Sequence, residues 1–530
     1  DLGDIVNSPI TAVGGYLATA ANDGMVHIFK KNGGSDERSY NLKLSYIPGT
    51  MPRKDIESND STLAKELRAF AEKGYVGDRY GVDGGFVLRR ITDDQDKQKH
   101  FFMFGAMGFG GRGAYALDLS KIDGNYPAAA PLFDVKDGDN NGKNRVKVEL
   151  GYTVGTPQIG KTQNGKYAAF LASGYAAKDI ASQENKTALY VYDLKDTLGT
   201  PIAKIDVQGG KGGLSSPTLV DKDLDGIVDI AYAGDRGGNM YRFDLSSDKP
   251  SEWTVRTIFQ GTKPITSAPA VSRLADKRVV IFGTGSDLSE QDVLDTKEQY
   301  IYGIFDDDTA NVSVKVKDRM GGGLLEQVLS EENKILFLTN NKASGGSNGK
   351  GWVVKLREGE RVTVKPTVVL RTAFVTIRKY KDDGCGAETA ILGINTADGG
   401  ALTPRSARPI VPDHNSVAQY SGHKKTADGK SVPIGCMWKN GKTVCPNGYV
   451  YDKPVNVRYL DEKKTDDFPV TADGDAGGSG TLKEGKKPAR NNRCFSGKGV
   501  RTLLMNDLDS LDITGPMCGI KRLSWREVFF

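Results

Sequence analysis

The chain has 530 residues, with 72 Lys and Arg against 67 Asp and Glu and a net charge of +5. That length exceeds what one simple core fills unless the core is repetitive. The mild, evenly spread charge argues against a nucleic-acid partner, and no apolar run approaches the roughly 20 residues that cross a bilayer.

The 65 glycines and the scarcity of long helical periodicity predict many short strands and turns, an all-β chain. In chain order, a small residue and proline recur ahead of paired strands. Asn7-Ser-Pro-Ile10 leads to Leu17–Gly24 and Met25-Val-His-Ile-Phe29. An insertion at about 50–80 follows, in which Leu63, Leu67 and Phe70 predict a short amphipathic helix over Ser61–Glu72. Degenerate copies surround Phe101-Phe-Met-Phe-Gly105 and Ala114–Leu119. Gly155-Thr-Pro, Ser215-Ser-Pro and Ser267-Ala-Pro then open three clear copies, 60 residues apart from Pro157 to Pro217 and 52 from Pro217 to Pro269. Further copies lie at Ile335–Thr339 with Trp352–Leu356, and at Ala390–Asn395. A period near 50 with about four strands per unit predicts propeller blades, because each small sheet buries its faces only by stacking on its neighbours. Seven phrases predict seven blades, with six or eight left open. We expect the propeller over 1–403 and a loop-rich extension over 404–530. Within that extension, Thr471–Gly480 and Lys483–Lys487 read as mobile. The strand-like end, 522–530, is expected to close the ring.

One loop carries chemistry. Asp221-Lys-Asp-Leu-Asp-Gly-Ile-Val-Asp229 places carboxylates at positions 1, 3, 5 and 9, with glycine at 6. Alternating Asp side chains supply the oxygens that Ca2+ requires, Gly226 allows the turn, the Ile227 carbonyl can point inward, and Asp229 closes the shell. Position 12 is Tyr232 rather than the Glu of a helix–loop–helix hand. The strand-like flanks place the loop in a β-hairpin, where an acidic solvated turn is the bland alternative. A second loop, Asp137–Asn144, matches the pattern less well, since Arg145 opposes a cation at position 9.

All five cysteines lie between Cys385 and Cys518, with no CxxC spacing, which speaks against a zinc site. Cys436 and Cys445 flank a turn-like segment and are the favoured disulfide pair. Cys494 with Cys518 is a weaker pair, and Cys385 is left over. Disulfides place a chain in an oxidising, exported setting. No His lies in a catalytic motif and no phosphate-binding loop occurs in the sequence, so no catalytic residue is assigned.

The phrases Leu2–Ile10, Ala21–Phe29, Tyr80–Gly84, Leu150–Pro157, Asp221–Asp229 with Ala233–Phe243, and Ser524–Glu527 arrive in order along the chain. Together they resemble the C-terminal β-propeller domain of the PilC/PilY family, the type IV pilus tip-associated adhesins. The resemblance implies a modified seven-bladed, quinoprotein-like propeller. It also implies export to the outer membrane, cell surface and pilus tip, with minor pilins or the pilus tip and a host-cell surface receptor as partners. The implied roles are pilus biogenesis, control of extension against retraction (twitching motility) and host-cell attachment. Ca2+ would be held by Asp221, Asp223, Asp225, the carbonyl of Ile227, and Asp229. Two alternatives are a quinone-dependent dehydrogenase and a glycan-binding lectin. The dehydrogenase usually brings an adjacent Cys pair, which this chain lacks.

Overall fold

The computed structural model describes residues 2–33, 39–50, 80–124, 126–140, 146–309, 313–316, 323–343, 349–402, 423–433, 435–455, 457–460, 470–471 and 473–485. It also describes residues 68, 71 and 72 and the strands at 408–409, 500–505 and 510–514. The helix expected over 61–72 lies largely outside these residues, and the strand expected at 522–530 lies wholly outside them.

Among the described residues, six sheets have four or more strands, and one of them, of 11 strands, carries two successive blades. Blade 1 is Thr11–Val13, Tyr16–Ala20, Val26–Lys31 and Tyr40–Tyr46. Blade 2 is Phe86–Thr92, Gln98–Ala106, Gly113–Asp118 and Pro131–Lys136. Blade 3 is Gln158–Lys161, Tyr167–Ala172, Ala188–Asp193 and Pro201–Asp206. Blade 4 is Thr218–Val220, Ile230–Gly234, Asn239–Asp244 and Thr254–Gln260. Each is an antiparallel meander.

Blade 5 takes Ala270–Arg273, Arg278–Gly283 and Tyr300–Asp306, with Gly351–Lys355 as its fourth strand. Blade 6 is built on Thr367–Val369, Thr372–Tyr380 and Ala387–Asn395, then Gly448–Tyr451 and Ile335–Leu338. The copies expected to pair at Ile335–Thr339 and Trp352–Leu356 therefore serve different blades. The strand Leu325–Glu332 causes this: its first half pairs in parallel with Gly351–Lys355, and its second half antiparallel with Ile335–Leu338. A further sheet, Arg408–Pro409, Ser510–Thr514, Val500–Met505 and Val457–Leu460, comes from the C-terminal stretch. Val457 packs on the Phe374 and Tyr449 cluster of blade 6.

Hydrophobic clusters fill the space between consecutive blades. Ala18 and Ile28 meet Phe86 and Met103 between blades 1 and 2, and Phe104 meets Tyr190 and Tyr192 between blades 2 and 3. Phe170 meets Tyr241 and Phe243, then Tyr232 and Phe259 meet Phe282 and Tyr302. Trp352 sits with Val375 and Ile394 between blades 5 and 6. Middle strands are thus buried on both faces, so Tyr167–Ala172 is apolar or small throughout rather than alternating. First strands of neighbouring blades approach one another, so they line the middle of the ring. Between blades 4 and 5 that approach is a bond from the Thr218 hydroxyl to the Pro269 carbonyl, 2.6 Å.

Candidate functional site

The Asp221–Asp229 loop joins the first two strands of blade 4, as the hairpin reading expected. Two side chains at even positions anchor it: Leu224 and Val228 are buried in the cluster between blades 3 and 4. Leu224 accepts a left-handed backbone, φ +62°, to reach that core, and Gly226 turns the chain at φ +90°. Asp223 and Asp225 consequently face solvent, while Asp221 is fully buried.

Asp221 organises the turn by accepting the amides of Gly226 at 2.7 Å and Asp225 at 3.2 Å. Among the described residues, Asp221, Asp223 and Asp225 are the acidic group close enough to share a cation, each offering an oxygen within 4.8 Å of the others. Asp229 stands beside this trio rather than in it. Its two oxygens accept the Lys222 amide at 2.7 Å and the Gln163 side-chain amide at 2.8 Å. Ile227 bridges Lys161 of blade 3 in parallel, which fixes the main chain whose carbonyl was expected to face a cation.

Burial raises the pKa of Asp221 to about 7 and that of Asp229 to about 6, and the neighbouring carboxylates push both further up. Asp225 is raised for the same reasons. Crowded carboxylates that resist ionisation are the donor set a hard divalent cation stabilises. The residues present fit Ca2+.

Two neighbours of the loop were not legible beforehand. Lys222 pairs with Asp308 at 3.2 Å, and Asp308 also binds Arg242 and Arg278 from blades 4 and 5. The second neighbour is the stretch 473–485, most of which falls in the segments Thr471–Gly480 and Lys483–Lys487 that were expected to be mobile. It is docked across the middle of the ring. Its glycines permit close backbone approach rather than looseness: a Cβ on Gly474 would stand 2.8 Å from the Asp221 carbonyl oxygen. Gly480–Lys483 adds a parallel strand to the free edge of Phe86–Thr92 in blade 2.

The second acidic loop is described only up to residue 140. Its Asp137 carboxylate accepts the Leu150 amide at 2.8 Å, and Asp139 accepts the Lys136 amide at 3.1 Å. Cys436 and Cys445 form the expected disulfide, and Cys385 is free and exposed. Cys494 and Cys518 lie outside the described residues. No helix among the described residues is long and apolar enough to cross a membrane.

A family described as the PilY1 beta-propeller domain matches residues 2–342. A Pseudomonas aeruginosa protein named type IV pilus biogenesis factor PilY1 is 26% identical over 520 residues, covering 81% of this chain and 41% of the relative. A Xylella fastidiosa protein named type IV pilus biogenesis factor PilY1 homolog is 28% identical over 298 residues, covering 54% of this chain and 21% of its own length. The chain therefore spans about two fifths of the first relative and one fifth of the second. The crystal structure of the Pseudomonas aeruginosa PilY1 C-terminal domain superposes with a TM-score of 0.62 at 21% identity, covering 94% of this chain and 93% of that one. This likeness shows the shared fold. The family match covers well over half the chain and begins with the first blade, so the chain belongs to the PilY1 beta-propeller domain family.

Proposed function

We propose that this chain is the calcium-binding propeller of a type IV pilus biogenesis factor and adhesin. On this reading it works at the cell surface and pilus tip, biases the pilus towards extension or retraction, and attaches the cell to a host receptor. Minor pilins or the pilus tip would be its structural partners. The observation that carries the proposal is the Asp221, Asp223 and Asp225 cluster, set on a rigid hairpin of a pilus-family propeller. The Cys436–Cys445 disulfide supports export.

Calcium would be held by Asp221, Asp223, Asp225 and the Ile227 carbonyl, with Asp229 closing the set. Bound there, the ion would neutralise crowded negative charge. The chain's own residues do the remaining work: Leu224 and Val228 hold the loop to the core, and the Gly226 amide orients Asp221. Calorimetric titration with Ca2+ tests this. We expect one saturable site, abolished in Asp221→Ala; unchanged affinity in that variant would overturn the assignment.

The position of residues 473–485 favours a binding role over the quinone-dependent alternative, because they occupy the middle of the ring. A lectin-like contribution to adhesion has one favourable feature. A polar cleft of about 510 Å3 opens at the end of blade 4 opposite Asp221, lined by Gln208, Lys211, Asn239, Thr257, Gln260 and Lys315. A glycan array with no ligand, or a hit unaffected by Lys315→Ala, would dismiss it.

A further inference from the structure

Residues 473–485 touch the first strand, or its lead-in, in five blades. Asp473 accepts the Arg273 amide of blade 5 at 2.9 Å. Gly474 accepts the Asp221 amide at 2.8 Å, Asp475 bridges Val220, and the Ala476 amide reaches Leu219 at 2.9 Å, all in blade 4. The Asp475 carboxylate pairs with Lys365, just ahead of the first strand of blade 6, at 2.6 Å. The Gly478 amide bonds the Gln158 side chain of blade 3 at 2.8 Å. In blade 2, Leu88 donates to the Ser479 hydroxyl, and Glu484 closes on Thr92. Arg89, fully enclosed, gives its guanidinium to the carbonyls of Gly478 at 2.7 Å and Ala476 at 3.2 Å.

The segment is therefore a strap held mostly by backbone bonds. Such bonds register position closely, since a small shift of one partner breaks several at once. One of these bonds is made by Asp221 itself. The residue whose carboxylate begins the acidic loop gives its main-chain amide to Gly474, and the loop has no slack between the two groups. Gly474 has little room to adjust sideways, because the Asp221 carbonyl oxygen lies 2.8 Å from where its Cβ would be.

We propose that residues 473–485 form a latch across the ring, seated by the cation in the Asp221 loop. The proposal rests on the calcium reading above. Without the ion, Asp221, Asp223 and Asp225 repel one another and the loop shifts. The Asp221 amide then leaves Gly474, and the strap loosens from blade 4 outward. With the ion, the loop is fixed and the strap is held. Coupling of this kind is reciprocal: a strap weakened elsewhere must lower cation affinity.

Hydrogen exchange on the whole chain, in Ca2+ and in a chelator, measures the latch directly, with calorimetry run in parallel. We expect exchange over 473–485 to speed up on the order of 10-fold or more when Ca2+ is removed, within the usual range of site-to-site coupling. The strand Tyr16–Ala20 of blade 1 should not change. Lys365→Ala, whose partner is Asp475 of the strap rather than a loop carboxylate, should weaken Ca2+ binding by roughly 5-fold or more through the same coupling. Gly474→Ala should do so more strongly; if that variant does not fold, Lys365→Ala still decides. Saturable Ca2+ binding with unchanged exchange over 473–485, or with full affinity in Lys365→Ala, would overturn the latch and leave the calcium site standing. No Ca2+ binding at all would overturn both.

Discussion

Arg242 donates from Nε to one carboxylate oxygen of Asp306 at 2.9 Å, while Arg256 holds the other oxygen at 3.2 Å. The Tyr232 hydroxyl also binds this carboxylate, and Arg278 approaches it. Asp306 is almost fully buried and, with Asp308 beside it, neutralises a cluster of cations drawn from blades 4 and 5. Removing it leaves guanidinium groups in a desolvated seam. We expect Asp306→Ala to cost about 3–5 kcal/mol of stability, the usual result of deleting one partner of a buried pair. Denaturant unfolding checks this; a loss below about 1 kcal/mol would show that the seam admits water.

The four loop carboxylates should not be equivalent. Asp223 belongs to the trio that faces a common point, whereas the Asp229 oxygens already serve Lys222 and Gln163. Asp223→Asn should lower Ca2+ affinity by roughly 10-fold or more, since charge count sets the strength of such sites. Asp229→Asn should lower it less. Titration of the two variants side by side decides the order.

The raised carboxyl groups give the loop, when freed of metal by a chelator, a pH dependence whose sign is fixed. With Asp221 at about 7 and Asp229 at about 6, both above the ordinary Asp value, the folded chain binds more protons than the unfolded chain between about pH 4 and 7. Stability of the metal-free protein therefore falls as pH rises through that window and levels off above it. The melting temperature in chelator should be lower at pH 8 than at pH 5.5, and Ca2+ should remove most of the difference. Calcium binding at pH 6 should release protons, seen as a buffer-dependent heat in calorimetry.

Cys385 should react with a maleimide in the native protein, because it is exposed, while the Cys436 and Cys445 peptide stays unlabelled until reduced. The disulfide spans nine residues of a hairpin, Met437–Lys439 paired with Lys442–Val444. Changing both cysteines to serine should cost about 2–3 kcal/mol, the order expected for so short a loop. We expect that loss as faster proteolysis of the hairpin rather than as unfolding of the blades.

Much of this architecture was legible in the sequence because its cues are local. Pro157, Pro217 and Pro269 each stand immediately before the first strand of a blade, where a missing amide is tolerated at a strand start. The acidic loop was legible for the same reason: its side chains and its turn lie within nine residues. Partners chosen by long-range pairing were not legible. Nothing near Gly448–Tyr451 indicates that it completes blade 6 beside Ala387–Asn395. The Gly- and Asp-rich composition of 471–480 reads as a linker, because the acceptors that hold it belong to Leu219 and Gln158, far away in the chain.

That distance has a consequence for how the protein is made. Ser479 bonds Leu88 across 391 residues, so blade 2 leaves the ribosome long before the segment that crosses the ring exists. Six blades are synthesised with their middle still open, and seating residues 473–485 is a late event in biogenesis. A nonsense change after Gly448–Tyr451 but before residue 473 leaves six blades with an unfilled centre, in which Arg89 loses the carbonyls of Ala476 and Gly478.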